Sequence, residues 1–219
     1  TDSVFQYTLS TAYDLSTASY AFKSFSVAGQ DTVPTGLAFS SDGTKMFVVG
    51  RGTDSVFQYT LSTAYDLSTA SYASKSFDVS GQDTIPSDVA FSSDGTKMYI
   101  LGDSTDSVFQ YTLSTAYDLS TASYASKSFD VSGQDPVPAG LAFSSDGTKM
   151  FVVGKNTDSV FQYAVDGSVY ATTTYPAAFD FPSGIVPPVP VGGVKNLLDF
   201  VTTDGGTTWY GTQIGEDYK

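Results

Sequence analysis

Two residue types are missing outright: the 219-residue chain contains no cysteine and no histidine. Their absence removes disulfides, thiol nucleophiles, Cys/His zinc sites, Ser-His-Asp triads and imidazole acid–base chemistry. Arginine occurs once, at Arg51, too few for a sialidase, which needs several on its substrate carboxylate. Glutamate also occurs once, at Glu216, against 22 aspartates. Aspartate favours turns and caps, glutamate favours helix interiors, and the imbalance reads as an all-β chain. No run of about 18 apolar residues exists, so the sequence offers no membrane-spanning helix. No signal-peptide pattern is visible, and a start at Thr1 without Met reads as a processed product or a fragment.

What is present supports a packed domain. Hydrophobic residues make up 41% and aromatics 15%, enough for a real core. Lys+Arg number 10 against Asp+Glu 23, a net charge of −13. A surface this negative repels phosphate, which argues against nucleic acid and anionic lipid as partners. The lack of cysteine fits a reducing compartment and, equally, a bacterial or viral protein working outside the cell; abundant Ser, Thr, Tyr and Asp with little Glu, Lys and Arg favour the second.

The chain is a repeat. TDSVFQY starts at Thr1, Thr53, Thr105 and Thr157, a period of 52. Residues 1–20, 53–72 and 105–124 are identical, as is FSSDGTKM at 39–46, 91–98 and 143–150. The fourth copy diverges after its TDSVFQY, passes through a Pro-rich stretch at 185–194, and ends in NLLDFVTTDGGTTWYGTQIG. Each period carries four strand-like runs, here A to D, exemplified by GLAFSS (36–41), TKMFVVG (44–50), SVFQYTL (55–61) and YASKSFDV (72–79). Ser-Asp-Gly between A and B is a hairpin turn. The only helical candidate is a short turn within STAYDLSTASY.

Four short strands per repeat of this length predict propeller blades. The expected fold is a single four-bladed β-propeller of 52-residue repeats over 1–219, with blades at 34–81, 86–133 and 138–183. A composite fourth blade, 195–219 plus 1–29, closes the ring by pairing N-terminal C–D strands with C-terminal A–B strands; 185–194 is a stiff connector through Pro187, Pro188 and Pro190. The alternatives are a piece cut from a longer array, or two chains that combine into a larger ring. The repeated Phe and Tyr suit wedge positions between blades.

IPSDVAFSSDGTKMYILG followed by DSVFQYTL resembles the propeller repeats of the YVTN and TolB type, over residues 34–165. That resemblance implies fold and says almost nothing of activity. STAYDLSTASYASKSFDVSGQD is similar to repeats in bacterial surface proteins and marine phage virion proteins. The ending looks like a segment of tail proteins from such phages. TTDGGTTW (202–209) resembles the Asp box of sialidase-type propellers, which implies a structural turn capped by Asp204 with Trp209 packed behind it.

Candidate site residues follow from where the copies differ. Changes concentrate in the B–C loop (Arg51-Gly52, Asp103-Ser104, Lys155-Asn156) and in the D–A loop with the start of strand A, where Asp88 replaces Gly36 and Gly140. Both loops emerge on one face. Arg51, Asp88, Asp103 and Lys155, together with Gln30-Asp31, Gln82-Asp83 and Gln134-Asp135, are the candidate ligand-binding set; the competing reading is drift at exposed loop tips. No catalytic residue and no cofactor are assigned. Aspartates with turn carbonyls would suit Ca²⁺, but no EF-hand or nonapeptide spacing exists. The expected function is therefore non-enzymatic: a recognition or structural module of a phage virion (tail fibre or spike) or bacterial surface, extracellular, binding a host-surface glycan or neighbouring subunit, with no membrane insertion. The alternatives are a glycoside hydrolase or lyase pairing Asp88 with a GQD aspartate, and a purely architectural scaffold.

Overall fold

The computed structural model describes residues 2–164, 179–180, 197–202 and 209–215. The chain divides into two compact units, Thr1–Phe161 and Gln162–Lys219. In the first, β1 (Ser3–Leu9) and β2 (Ala18–Ser26) form a two-stranded antiparallel sheet. β3 (Pro34–Phe39), β4 (Lys45–Gly50), β5 (Ser55–Leu61) and β6 (Ala70–Asp78) form a four-stranded antiparallel meander. β7 (Pro86–Phe91), β8 (Lys97–Gly102), β9 (Ser107–Leu113) and β10 (Ala122–Asp130) repeat it. β11 (Pro138–Phe143), β12 (Lys149–Gly154) and β13 (Val160–Ala164) give three strands of a further copy. In the second unit, β14 (Phe179–Asp180), β15 (Leu197–Thr202) and β16 (Trp209–Gly215) form one sheet with β16 in the middle.

The described residues are thus all-β, in antiparallel sheets with the four-stranded meander of a propeller blade, apart from the parallel pair of β14 with β16. A ring of four blades closed within one chain is a finer statement than these sheets make. The connector at 185–194 and Asp204 of the Asp-box string lie outside the described residues. Strand A begins at Pro34, two residues before the expected Gly36, because proline is tolerated at a strand's first position.

Local chemistry sets each corner. Gly43 takes φ +71° in the A–B turn, which a Cβ would strain. Beside it, Asp42 accepts from Ser40 Oγ at 2.6 Å, Thr44 N at 2.9 Å and Thr44 Oγ1 at 2.8 Å, and these bonds hold its carboxyl down at about 2. The helical candidate is a single 3₁₀ turn in each copy, Leu15–Thr17, Leu67–Thr69 and Leu119–Thr121, capped by Asp14, Asp66 and Asp118.

Alternation gives the four-stranded sheets two apolar faces. On the β3–β6 sheet, Met46, Val48, Phe57, Tyr59 and Leu61 with the turn residue Leu67 pack against Val4 and Phe25 of the preceding sheet. On its other face, Phe47, Val49 and Val56 pack against Met98, Ile100, Phe109, Tyr111, Leu113 and Leu119 of the next. We call these the leading and trailing faces. Polar ties cross each junction in register. Gln6 Oε1 accepts from Leu67 N, and Gln58 Oε1 from Leu119 N, each at 3.0 Å. Lys23 pairs with Asp66 at 2.6 Å, and Lys75 with Asp118 at 2.7 Å.

Candidate functional site

The first strands of three repeats lie side by side, β7 between β3 and β11. Positions 36, 88 and 140 are equivalent by the period, and only the middle one carries a side chain. A Cβ on Gly36 would stand 2.7 Å from Asp88 Oδ1, so glycine here is what makes room for the carboxylate. Asp88 is half-buried. Its Oδ1 accepts from Val89 N and its Oδ2 from Leu141 N, both at 2.8 Å, which ties β7 to β11. Burial raises its pKa, and the two amide bonds only partly offset the shift. Each oxygen keeps a lone pair beyond those bonds. Its neighbour Ser87 is 2% exposed, and Ser87 Oγ has no hydrogen-bond partner among the described residues.

The B–C and D–A loops meet at the same end of the sheets. Arg51 N donates to Val33 O at 3.1 Å, Asp103 N to Ile85 O at 3.0 Å, and Lys155 N to Val137 O at 2.9 Å. The Arg51 guanidinium reaches Asp103 Oδ2 at 4.0 Å across adjacent copies, and its Nε is buried without a hydrogen bond among the described residues. Lys155 sits on an exposed loop.

The GQD residues are placed differently from the loop tips. Asp31 is buried, and its carboxylate accepts from Val33 N (2.6 Å), Gly52 N (3.3 Å), Thr53 N (2.9 Å) and Thr53 Oγ1 (2.8 Å). Asp83 does the same with Ile85 N, Thr105 N and Thr105 Oγ1, and Asp135 with Val137 N, Thr157 N and Thr157 Oγ1. These carboxylates clamp one loop to the other. Gln30 Oε1 accepts from Tyr59 OH at 3.3 Å and Gln82 Oε1 from Tyr111 OH at 3.2 Å, while Gln134 holds the same repeat position in the third copy. Among the described residues no three metal-ligating side chains stand together.

Two acids outside the candidate set share this end. Asp54 and Asp106 adopt left-handed φ of 51° and 49° in the B–C turn. Burial raises the pKa of both; Asp78, Asp31 and Asp83 add to the effect on Asp54, and Asp103 leads the acids around Asp106. Their invariance among the copies hid them from a search based on differences.

Inner strands carrying one asymmetric acid, at the end where the variable loops gather, define a β-propeller of repeated four-stranded units. The profile of the family described as "Lactonase, 7-bladed beta-propeller" matches residues 1–186, and the chain belongs to that family. No curated protein matches. Among solved structures, the fold is similar to a functionally unknown protein from Desulfotomaculum acetoxidans (17% identity, TM-score 0.53, 78% of this chain and 50% of that one). It is also similar to a protein from Bacteroides fragilis provisionally named a 6-phosphogluconolactonase (15% identity, TM-score 0.55, 79% and 48%). A Bacteroides uniformis protein with the same provisional name gives 14% identity, TM-score 0.52, 77% and 50%. These likenesses show the fold. The chain spans about half the length of the structures it matches.

The family match corrects the functional expectation. A non-enzymatic virion or cell-surface module, with no enzyme activity, does not survive membership in a lactonase family. The marine phage resemblance rested on repeat flavour and a short ending, and the family match over residues 1–186 points elsewhere. The propeller resemblance stands.

Proposed function

We propose that the chain is a propeller segment of a lactone hydrolase, with Asp88 as the base that activates water. The observation that carries this reading is the break in repeat symmetry at Asp88. Three near-identical copies supply three near-identical environments, and catalysis needs one distinct acid. A carboxylate with a raised pKa takes a proton more readily than an ordinary aspartate. Water deprotonated by Asp88 would add to the lactone carbonyl, and the ring C–O bond would then break, with the proton passing to the departing alkoxide. The family and the provisional names of two similar structures support a sugar lactone as the substrate class. Charge favours an unphosphorylated one: the chain carries −13, and Asp31, Asp54, Asp78 and Asp83 crowd one another at the same loop end. On this reading the repeats enter a ring of more than four blades.

The test is acid release from unphosphorylated and phosphorylated aldonolactones, followed with a pH indicator. Faster ring opening than the uncatalysed rate is expected with the wild type on the neutral lactone, and a loss of about 10²-fold or more in Asp88→Asn. Release from no lactone overturns the hydrolase; release unchanged in Asp88→Asn overturns the assignment of the base.

A further inference from the structure

Arg51 is the chain's one arginine. Its Nε is buried with no hydrogen bond among the described residues. Asp103 Oδ2 stands 4.0 Å from Nη2, an ion-pair distance rather than a hydrogen bond. A guanidinium offers five N–H donors in a planar fork that suits a carboxylate or an oxyanion. Burying such a donor without an acceptor is costly, and a ligand that supplies the acceptor recovers the cost. The turn itself does not require arginine, because the equivalent positions carry Asp103 and Lys155.

Strand register sets Arg51 near Asp88. Gly36 pairs with Val49 and Asp88 with Leu101, so Arg51 and Asp103 each lie two residues beyond those partners, toward the loop end. Two residues of extended chain span about 7 Å. A Cβ on Gly36 would stand 2.7 Å from Asp88 Oδ1 and 2.9 Å from Val49 Cγ1, so the Asp88 carboxylate lies beside the strand that leads to Arg51. Thr35 Oγ1 ties the same strands, donating to Val49 O at 3.3 Å and to Pro86 O at 2.8 Å.

We propose that Arg51 holds the carbonyl oxygen of the lactone while water adds to the carbonyl carbon, and then holds the carboxylate formed when the ring opens. The assignment rests on the reading of Asp88 as the base. Asp88 takes a proton from water, and the water oxygen bonds to the carbonyl carbon as the C=O π pair moves onto oxygen. Arg51 meets that oxyanion with charge and donors. The pair returns, the ring C–O bond breaks, and Asp88 gives its proton to the departing alkoxide oxygen. The new carboxylic acid loses its proton to solvent and stays on Arg51 as a carboxylate.

Two measurements on the full chain test this. Calorimetric titration with gluconate, a ring-opened carboxylate, reads the Arg51 contact without turnover. Wild type and Asp88→Asn are expected to bind gluconate, Arg51→Gln to bind it at least tenfold more weakly, and Arg51→Lys to fall between. Lactone kinetics read the oxyanion: Arg51→Gln is expected to lower kcat about 10²-fold with a smaller change in KM. Added methylguanidine is expected to restore part of that rate, which a merely structural loss would not allow. Thermal unfolding checks that Arg51→Gln folds, and Arg51→Lys takes its place if it does not. Gluconate bound equally by wild type and Arg51→Gln overturns the assignment, as does a wild type that binds none or a kcat unchanged in Arg51→Gln. Gluconate binding through Arg51 in a chain that opens no lactone overturns the hydrolase while supporting the Arg51 contact. Turnover lost in Asp88→Asn but kept in Arg51→Gln overturns Arg51 alone.

Discussion

A carboxylate with four donors on it cannot be removed cheaply. Asp31 is 2% exposed and receives Val33 N, Gly52 N, Thr53 N and Thr53 Oγ1. In Asp31→Ala those donors lose their acceptor where water enters poorly, a cost of about 3 kcal/mol. Urea unfolding is expected to show the lowered midpoint; an unchanged midpoint would mean the loops hold together without the clamp. Asp88 differs because burial raises its pKa. Its ionised form is the disfavoured one, so the rate of a reaction using it as base rises with pH through a value above the ordinary carboxylate range. A pH–rate profile that levels off below pH 4 would remove Asp88 from the chemistry. The GQD aspartates belong to the candidate set through their place beside the variable D–A loops, and the amides that face them are not visible in the sequence. One carboxylate binds a ligand or clamps a loop according to how many amides face it, and that depends on backbone placed 21 and 22 residues downstream.

At the scale of elements, the junctions between sheets are polar at the rim and apolar within. Gln58 is buried on the trailing face and accepts from Leu119 N, while Gln6 makes the same bond at a half-buried position. Gln58→Ala is expected to cost about 1–3 kcal/mol and Gln6→Ala less, read as thermal unfolding shifts. The two ion pairs respond to acid. The Lys75 ammonium holds Asp118 at about 2, and Lys23 does the same for Asp66. A depressed carboxylate pKa contributes stability that is full above the unfolded value of about 3.9. That contribution fades as pH falls through about 2. Asp118→Asn is expected to flatten the acid-unfolding curve in that window; an unchanged slope would assign acid sensitivity elsewhere. The strands were legible because their alternation, the Ser-Asp-Gly turn and the period all agree, and each four-stranded meander follows. The left-handed Asp54 and Asp106 were not legible, since Thr-Asp-Ser carries no glycine to mark positive φ.

For the whole molecule, the long-range force opposes the folded state, because the chain carries −13. The junctions between sheets offset part of that repulsion with the pairs Lys23–Asp66 at 2.6 Å and Lys75–Asp118 at 2.7 Å. The apolar burial within those junctions does not weaken with moderate salt, whereas repulsion between distant exposed charges does. The screening length falls from about 30 Å at 0.01 M to about 8 Å at 0.15 M ionic strength. The thermal unfolding midpoint is therefore expected to rise across that range at constant pH. A midpoint that falls instead would mean that the two ion pairs outweigh the net repulsion.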